Sequence, residues 1–216
     1  MDTKPNPGTY HTARPTARLT ALVIAALAIA ALTAQFIVSH RLLAPAGPLR
    51  VIWEMAAYFT VLTNVLVVLT FARIAATRRI GSAGWHGGLL LWIATVGLIY
   101  HAVLARLWSP QGLAWWADQG LHSMTPLLVL LWWLAFAPKS PLTLSHPLRW
   151  AAYPLAYAVF ALLRAAFTRQ YPYPFIDLAS LGPWRTALNI AALTAAFVLG
   201  GHAVRWIAAR LGRSPA

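Results

Sequence analysis

The stretch VIWEMAAYFTVLTNVLVVLTFARIA, residues 51–75, decides how this chain is to be read. A helix needs about 20 predominantly apolar residues to cross a bilayer core of roughly 30 Å, and this stretch supplies them. It nevertheless carries Glu54 near its start and, in YFTVLTN at 58–64, the polar residues Thr60, Thr63 and Asn64. Thr60 and Asn64 lie one helical turn apart on one face, with Thr63 beside Asn64. Such residues have two uses. Threonine can bond the carbonyl four residues back, and threonine and asparagine can hold neighbouring membrane helices together. Otherwise they are there for chemistry, with a hydroxyl as nucleophile.

Working outward, segments of the same kind recur at about 18–39, 51–74, 88–108, 113–136, 148–168 and 185–209. Of the 216 residues, 60% are hydrophobic and 10% charged, and the mean hydropathy is +0.63. That balance excludes a soluble domain with a solvated surface. The expected fold is all-α, with six transmembrane helices in one domain over 18–209. A cytoplasmic tail over 1–17, rich in Pro and Thr, is expected to be disordered, and 210–216 forms a short cytoplasmic C-terminal tail. Lys4, Arg14 and Arg18 before the first segment resemble a signal-peptide flank. Its apolar run exceeds the roughly 7 to 15 residues of a signal core, so it is read as a retained helix.

The chain has no cysteine, which excludes disulfides and thiolate chemistry. Its net charge of +13 comes from 17 Lys and Arg scattered at segment ends. Without a basic face this gives no reason to expect a nucleic-acid partner. With the N-terminus inside, eleven basic residues fall on cytoplasmic segments, among them Arg73, Arg78, Arg79, Lys139 and Arg205, and six fall outside. The positive-inside rule therefore puts both termini in the cytoplasm of a cell with an inner (plasma) membrane. Trp85, Trp115, Trp116, Trp150, Trp184 and Trp206 fall near segment ends, where indole rings favour the headgroup level.

Ionisable groups inside a span are expensive and normally face the bundle interior. Under the orientation above, Glu54, His101, Arg106, Asp118, His122, Arg164 and Asn189 all map to the outer half. The carboxylates beyond Asp2 are Glu54, Asp118 and Asp177, and all three join this cluster. The structural reading is a set of buried pairs, Glu54 or Asp118 with Arg106 or Arg164, that hold helices in register.

In ADQGLHSMTPLL, residues 117–128, Asp118 precedes His122 by one turn, so its carboxylate can accept the imidazole N–H and set the tautomer. Pro126 lacks the amide that would bond the His122 carbonyl, which opens the helix at the histidine. Counted from the starts of their segments, Thr60 and His122 share a depth. No GxSxG elbow and no HExxH spacing is present, so neither a serine-esterase architecture nor a zinc site is expected. His101, His122 and His202 lack a convincing spacing for haem, and no cofactor or metal is expected.

Three motifs, FT within YFTVLTN, DQGLHSMTPLL at 118–128 and YPYPFID at 171–177 followed by LGPWR, occur in that order. Over about residues 50–200 they resemble a bacterial six-span membrane family. That family is distantly related to the animal androgen-induced and androgen-dependent membrane hydrolases, threonine enzymes that cleave fatty acid esters of hydroxy fatty acids. The resemblance implies Thr60 as nucleophile, with Thr63 as a neighbouring rival, and His122 as base. Where the animal relatives carry an amide, this chain has Asp118.

In such a reaction the histidine takes the hydroxyl proton and returns it to the leaving alcohol, and the Asn64 amide or Arg106 is the available donor for the oxyanion. Glu54, His101 and Asp118 complete the supporting set. YPYPFID, whose Tyr-Pro steps disfavour helix, is expected to cap the outer mouth, with Tyr171, Tyr173 and Asp177 on the substrate side or as an interfacial anchor. The expected function is hydrolysis of an acyl (lipid) ester in contact with membrane lipids. The alternatives are a carrier or lipid-binding protein using the same pocket, and a structural membrane protein.

Overall fold

The computed structural model describes residues 11–212, and the remainder of both expected tails lies outside the described residues. The order is β1 (His11–Thr12), α1 (Pro15–Leu42), α2 (Pro48–Met55), α3 (Phe59–Thr77), β2 (Arg79–Ile80), α4 (Ala83–Ile99), α5 (Leu113–Gln119), α6 (Thr125–Phe136), α7 (His146–Thr168) and α8 (Leu178–Leu211). A π-helical turn, Tyr100–Leu104, extends α4, a second one, Gly120–Met124, joins α5 to α6, and a 3-10 turn, Pro174–Ile176, precedes α8. The described residues are therefore all-α apart from one two-residue strand pair.

Five helical segments, Pro15–Leu42, Phe59–Thr77, Ala83–Leu104, His146–Thr168 and Leu178–Leu211, are long and apolar enough to cross a membrane. Residues 113–136 are helical throughout, but the π-turn divides them into pieces of 7 and 12 residues on either side. The last helix contains a break at Gly182, whose φ of 74° is a backbone state that glycine alone adopts without strain. Pro183 follows and starts the long apolar part of α8.

The expected continuous helix over 51–74 is instead two helices with a break at Ala56–Tyr58. No glycine or proline lies there, so the cause is tertiary. The Tyr157 hydroxyl donates to the Ala57 carbonyl at 2.7 Å, while the Tyr173 hydroxyl accepts from the Thr60 amide at 3.4 Å. Thr60 is accordingly the second residue of α3 and not a mid-helix residue. At the other end of the bundle the tail is tied down: His11 pairs with Ile80, Thr12 pairs with Arg79, and the Ala13 amide donates to the Arg78 carbonyl. Helix α1 thus starts at Pro15, earlier than the expected 18.

Small residues set the helix spacing. Ala17, Ala21, Ala25, Ala28 and Ala31 form a buried face of α1, and a Cβ on Gly120 would stand 2.6 Å from the Ala31 Cβ. Close backbone approach of this kind suits membrane helices, which gain little from burying apolar side chains against one another. Trp150, expected as an interfacial anchor, is 4% exposed. It lies in a notch made by Gly87 and Gly88 and donates its indole N–H to the Gly84 carbonyl at 2.8 Å. Pro154 withholds the amide that the Trp150 carbonyl would otherwise accept from, and the Trp92 indole supplies the missing donor at 2.9 Å.

Candidate functional site

A cavity of about 620 Å³ opens at the end of the bundle away from the strand pair. Its walls are the C-terminal end of α1, α2, the N-terminus of α3, both π-turns, Leu107 and Trp108, Arg164 of α7 and the segment 170–174. Beside it lies an apolar cleft of about 80 Å³, between the N-terminus of α3, α4, α7 and α8, lined by residues such as Val96, Ile99, Ile190 and Phe197. Thr60, Leu104 and Tyr173 face both spaces. A chamber that carries Arg50, Glu54, His122 and Arg164 and an apolar slot therefore meet at Thr60.

The position of Thr60 in α3 explains the state of its hydroxyl. Thr20, Thr77, Thr95, Thr168, Thr186 and Thr194 each donate to the carbonyl four residues back at 2.7 to 3.0 Å. Thr60, one residue past the helix start, has no such helical carbonyl, and its Oγ1 meets only the Tyr173 hydroxyl, at 3.5 Å. That distance is long for an O–H···O bond. Thr63 is fully buried, bonds the Tyr153 hydroxyl at 3.2 Å and lines neither space. Asn64 is also fully buried, and its amide is committed to the Thr60 carbonyl at 2.9 Å and the Leu121 carbonyl at 3.3 Å. It ties α3 to the second π-turn and is not free to serve as an oxyanion donor.

His122 lines the chamber from that turn. Its ring stacks on Tyr100 at 4.1 Å between centroids. Its Nδ1 lies 3.0 Å from the Asp118 backbone carbonyl and 3.3 Å from Asp118 Oδ1. Both are acceptors, so the neutral ring carries its proton on Nδ1 and keeps a lone pair on Nε2. The expected acid contact is present, but the shorter bond goes to the backbone. Oδ1 otherwise lacks a hydrogen-bond partner, while Oδ2 accepts from the Tyr100 hydroxyl and from Gln119 at 3.3 Å. Pro126 and the His122 carbonyl approach Gly97 of α4 so closely that a Cβ there would stand 3.0 Å from the carbonyl oxygen.

The remaining predicted residues divide. Glu54 lines the chamber and pairs with Arg164 and, at 2.7 Å, with Arg50. Tyr171 and Tyr173 line it too, as a cap would. Burial pushes the Tyr173 phenol pKa up, so it keeps its proton. Asp177 does not reach the chamber; it caps α8, accepting from the Ser180 amide at 3.0 Å and hydroxyl at 2.7 Å. His101 is exposed and bonds Ser123 at 3.0 Å, and Arg106 is exposed with no ion pair among the described residues. Tyr100 and Tyr58 are chamber residues that the sequence reading missed.

No protein-family model, curated protein or solved structure matches this chain. Its function has to be argued from the site.

Proposed function

We propose that the protein is a six-span inner-membrane hydrolase of acyl esters, with Thr60 as nucleophile and His122 as base. The continuous helicity of residues 113–136 supports a sixth crossing, and the excess of basic residues on one side supports termini in the cytoplasm and a chamber in the outer leaflet. The observation that carries this reading is the place of Thr60. Its hydroxyl, released from back-bonding, stands where a chamber containing His122 and the Glu54–Arg164 pair meets an apolar slot. An ester linking a polar group to an acyl chain would put its carbonyl at that junction.

In the reaction, His122 Nε2 accepts the Thr60 proton, directly or through one water, as Oγ1 attacks the carbonyl carbon. The Tyr173 hydroxyl and the N-terminus of α3 stand in for the missing Asn64 amide as donors to the oxyanion. The C–O bond to the alcohol then breaks, and the alcohol leaves with the proton held on Nε2. Water activated by the same nitrogen releases the carboxylic acid and restores Thr60. Tyr100 and Asp118 keep the imidazole in the required tautomer and orientation.

A second reading, lipid carriage without bond cleavage, draws on the Thr60 hydroxyl meeting Tyr173 and not His122. Turnover of a medium-chain p-nitrophenyl ester by the purified protein separates the two. Thr60→Ala and His122→Ala are each expected to lower the rate about 10²- to 10⁴-fold, the usual range for positioned acid–base catalysis. Thr60→Ser should retain part of the rate and Thr63→Ala most of it. Unchanged hydrolysis by a folded Thr60→Ala protein would refute the threonine mechanism.

A further inference from the structure

The chamber carries more positive than negative charge. Arg50 and Arg164 stand on its walls against the single carboxylate of Glu54, and His122 is the other titratable group besides tyrosines. Asp118 lies behind His122, 1% exposed and occupied by Tyr100, and does not line the chamber. Both guanidinium groups contact Glu54, so the walls carry one net positive charge. Holding α2 against α7 needs only one arginine opposite Glu54, so the second is surplus to a structural pair. Arg164 is 6% exposed, and its buried Nε has no hydrogen-bond partner, although it sits on a helix apolar enough to cross a membrane. An intramembrane cation of this kind is retained for a ligand more readily than for packing.

We infer that the chamber binds the phosphodiester headgroup of a glycerophospholipid, with the phosphate against Arg164 and Arg50. A phosphodiester carries one negative charge, which matches the single unbalanced positive charge, and its oxygens fit the guanidinium fork. A space of about 620 Å³ is far larger than a carboxylate needs. Its further lining by Gln35, Ser39, Gln170 and Tyr171 offers amide and hydroxyl groups to a hydroxylated headgroup. An acyl chain would leave past Thr60 and Tyr173 into the apolar cleft. The inference deepens the acyl-ester reading and rests on it for what becomes of the chain, but the binding step stands apart from hydrolysis.

The test uses full-length Thr60→Ala protein in a neutral maltoside detergent, with binding followed by native mass spectrometry. The ligands are 1-acyl-glycerophosphoglycerol, the monoacylglycerol and the fatty acid of the same chain, and inorganic phosphate. The phosphodiester lipid is expected to bind about tenfold or more tighter than the monoacylglycerol, as an interaction with a charged group implies. It should also outbind the fatty acid, and millimolar phosphate should not displace it. Adding Glu54→Gln and Arg164→Gln together removes the buried guanidinium fork without stranding its partner, and should weaken the preference while Arg50 still attracts the phosphate. Arg50→Gln, at an exposed position, should also weaken the preference. Equal binding of phospholipid and monoacylglycerol would overturn the inference, as would a stronger fatty acid, displacement by free phosphate, or a preference that survives Arg50→Gln in full. Because these measurements involve no turnover, an inactive wild type would refute the hydrolase and leave the headgroup site standing. Lost phosphate preference would do the reverse.

Discussion

The Thr60 hydroxyl is left without a carbonyl partner because of where its helix begins. Two residues further along α3 the side chain is that of Leu62, which has no hydroxyl, and one turn along, Asn64 is spent on carbonyls. Thr63 and Thr70 of the same helix also lack the back-bond that Thr20, Thr77 and Thr95 make, but they are engaged by Tyr153 and Trp85, whereas Thr60 meets only Tyr173, at a long 3.5 Å. The one-turn spacing of Asp118 and His122 was legible in the sequence because it follows from helix geometry, whereas the depth of Thr60 was counted along a continuous helix from 51 that the break at Ala56–Tyr58 removes. Tyr100 was not, since nothing in GLIYHAVL announces that this ring will stack on His122 from another helix. The expected inward placement of His101 fails for a local reason. It sits in a π-turn, whose extra residue breaks the 3.6-residue face on which the expectation relied. Tyr100→Phe should expose the role of the ring's hydroxyl: the buried Asp118 carboxylate loses a donor, which costs about 1 to 3 kcal/mol. Thermal unfolding in detergent should show that loss together with slower ester turnover, while the stacked ring remains.

At the scale of elements, prolines and glycines act in pairs with distant residues. Pro154 frees the Trp150 carbonyl and the Trp92 indole satisfies it; Pro126 opens α6 toward Gly97. Trp92→Phe keeps an aromatic ring in place and removes the donor, so the orphaned carbonyl should cost about 1 to 3 kcal/mol, read as a lower midpoint of thermal unfolding. An unchanged midpoint would show that another group satisfies that carbonyl. The prolines themselves marked where helices would be disturbed, and YPYPFID was readable as non-helical. The break between α2 and α3 carries no such residue. It is imposed by Tyr157 and Tyr173 from other parts of the chain, and a single-segment reading of 51–74 could not contain it.

For the whole molecule, hydropathy announced the all-α architecture, but the described helices include five spans of sufficient length, with 113–136 split by its π-turn. The chamber and the strand pair occupy opposite ends, so orientation decides which leaflet the chamber faces. A reporter fused to the C-terminus should be active only in its cytoplasmic form if the charge asymmetry holds. Periplasmic activity would turn the chamber to the inner leaflet. The central claim is narrower, that Thr60 forms a covalent acyl intermediate with His122 as its base. The most direct test is peptide mass mapping after reaction of the full-length protein with an acyl-directed fluorophosphonate probe. The account predicts one adduct, on Thr60, that disappears in His122→Ala; an adduct on Thr63, or none in folded wild-type protein, would contradict it.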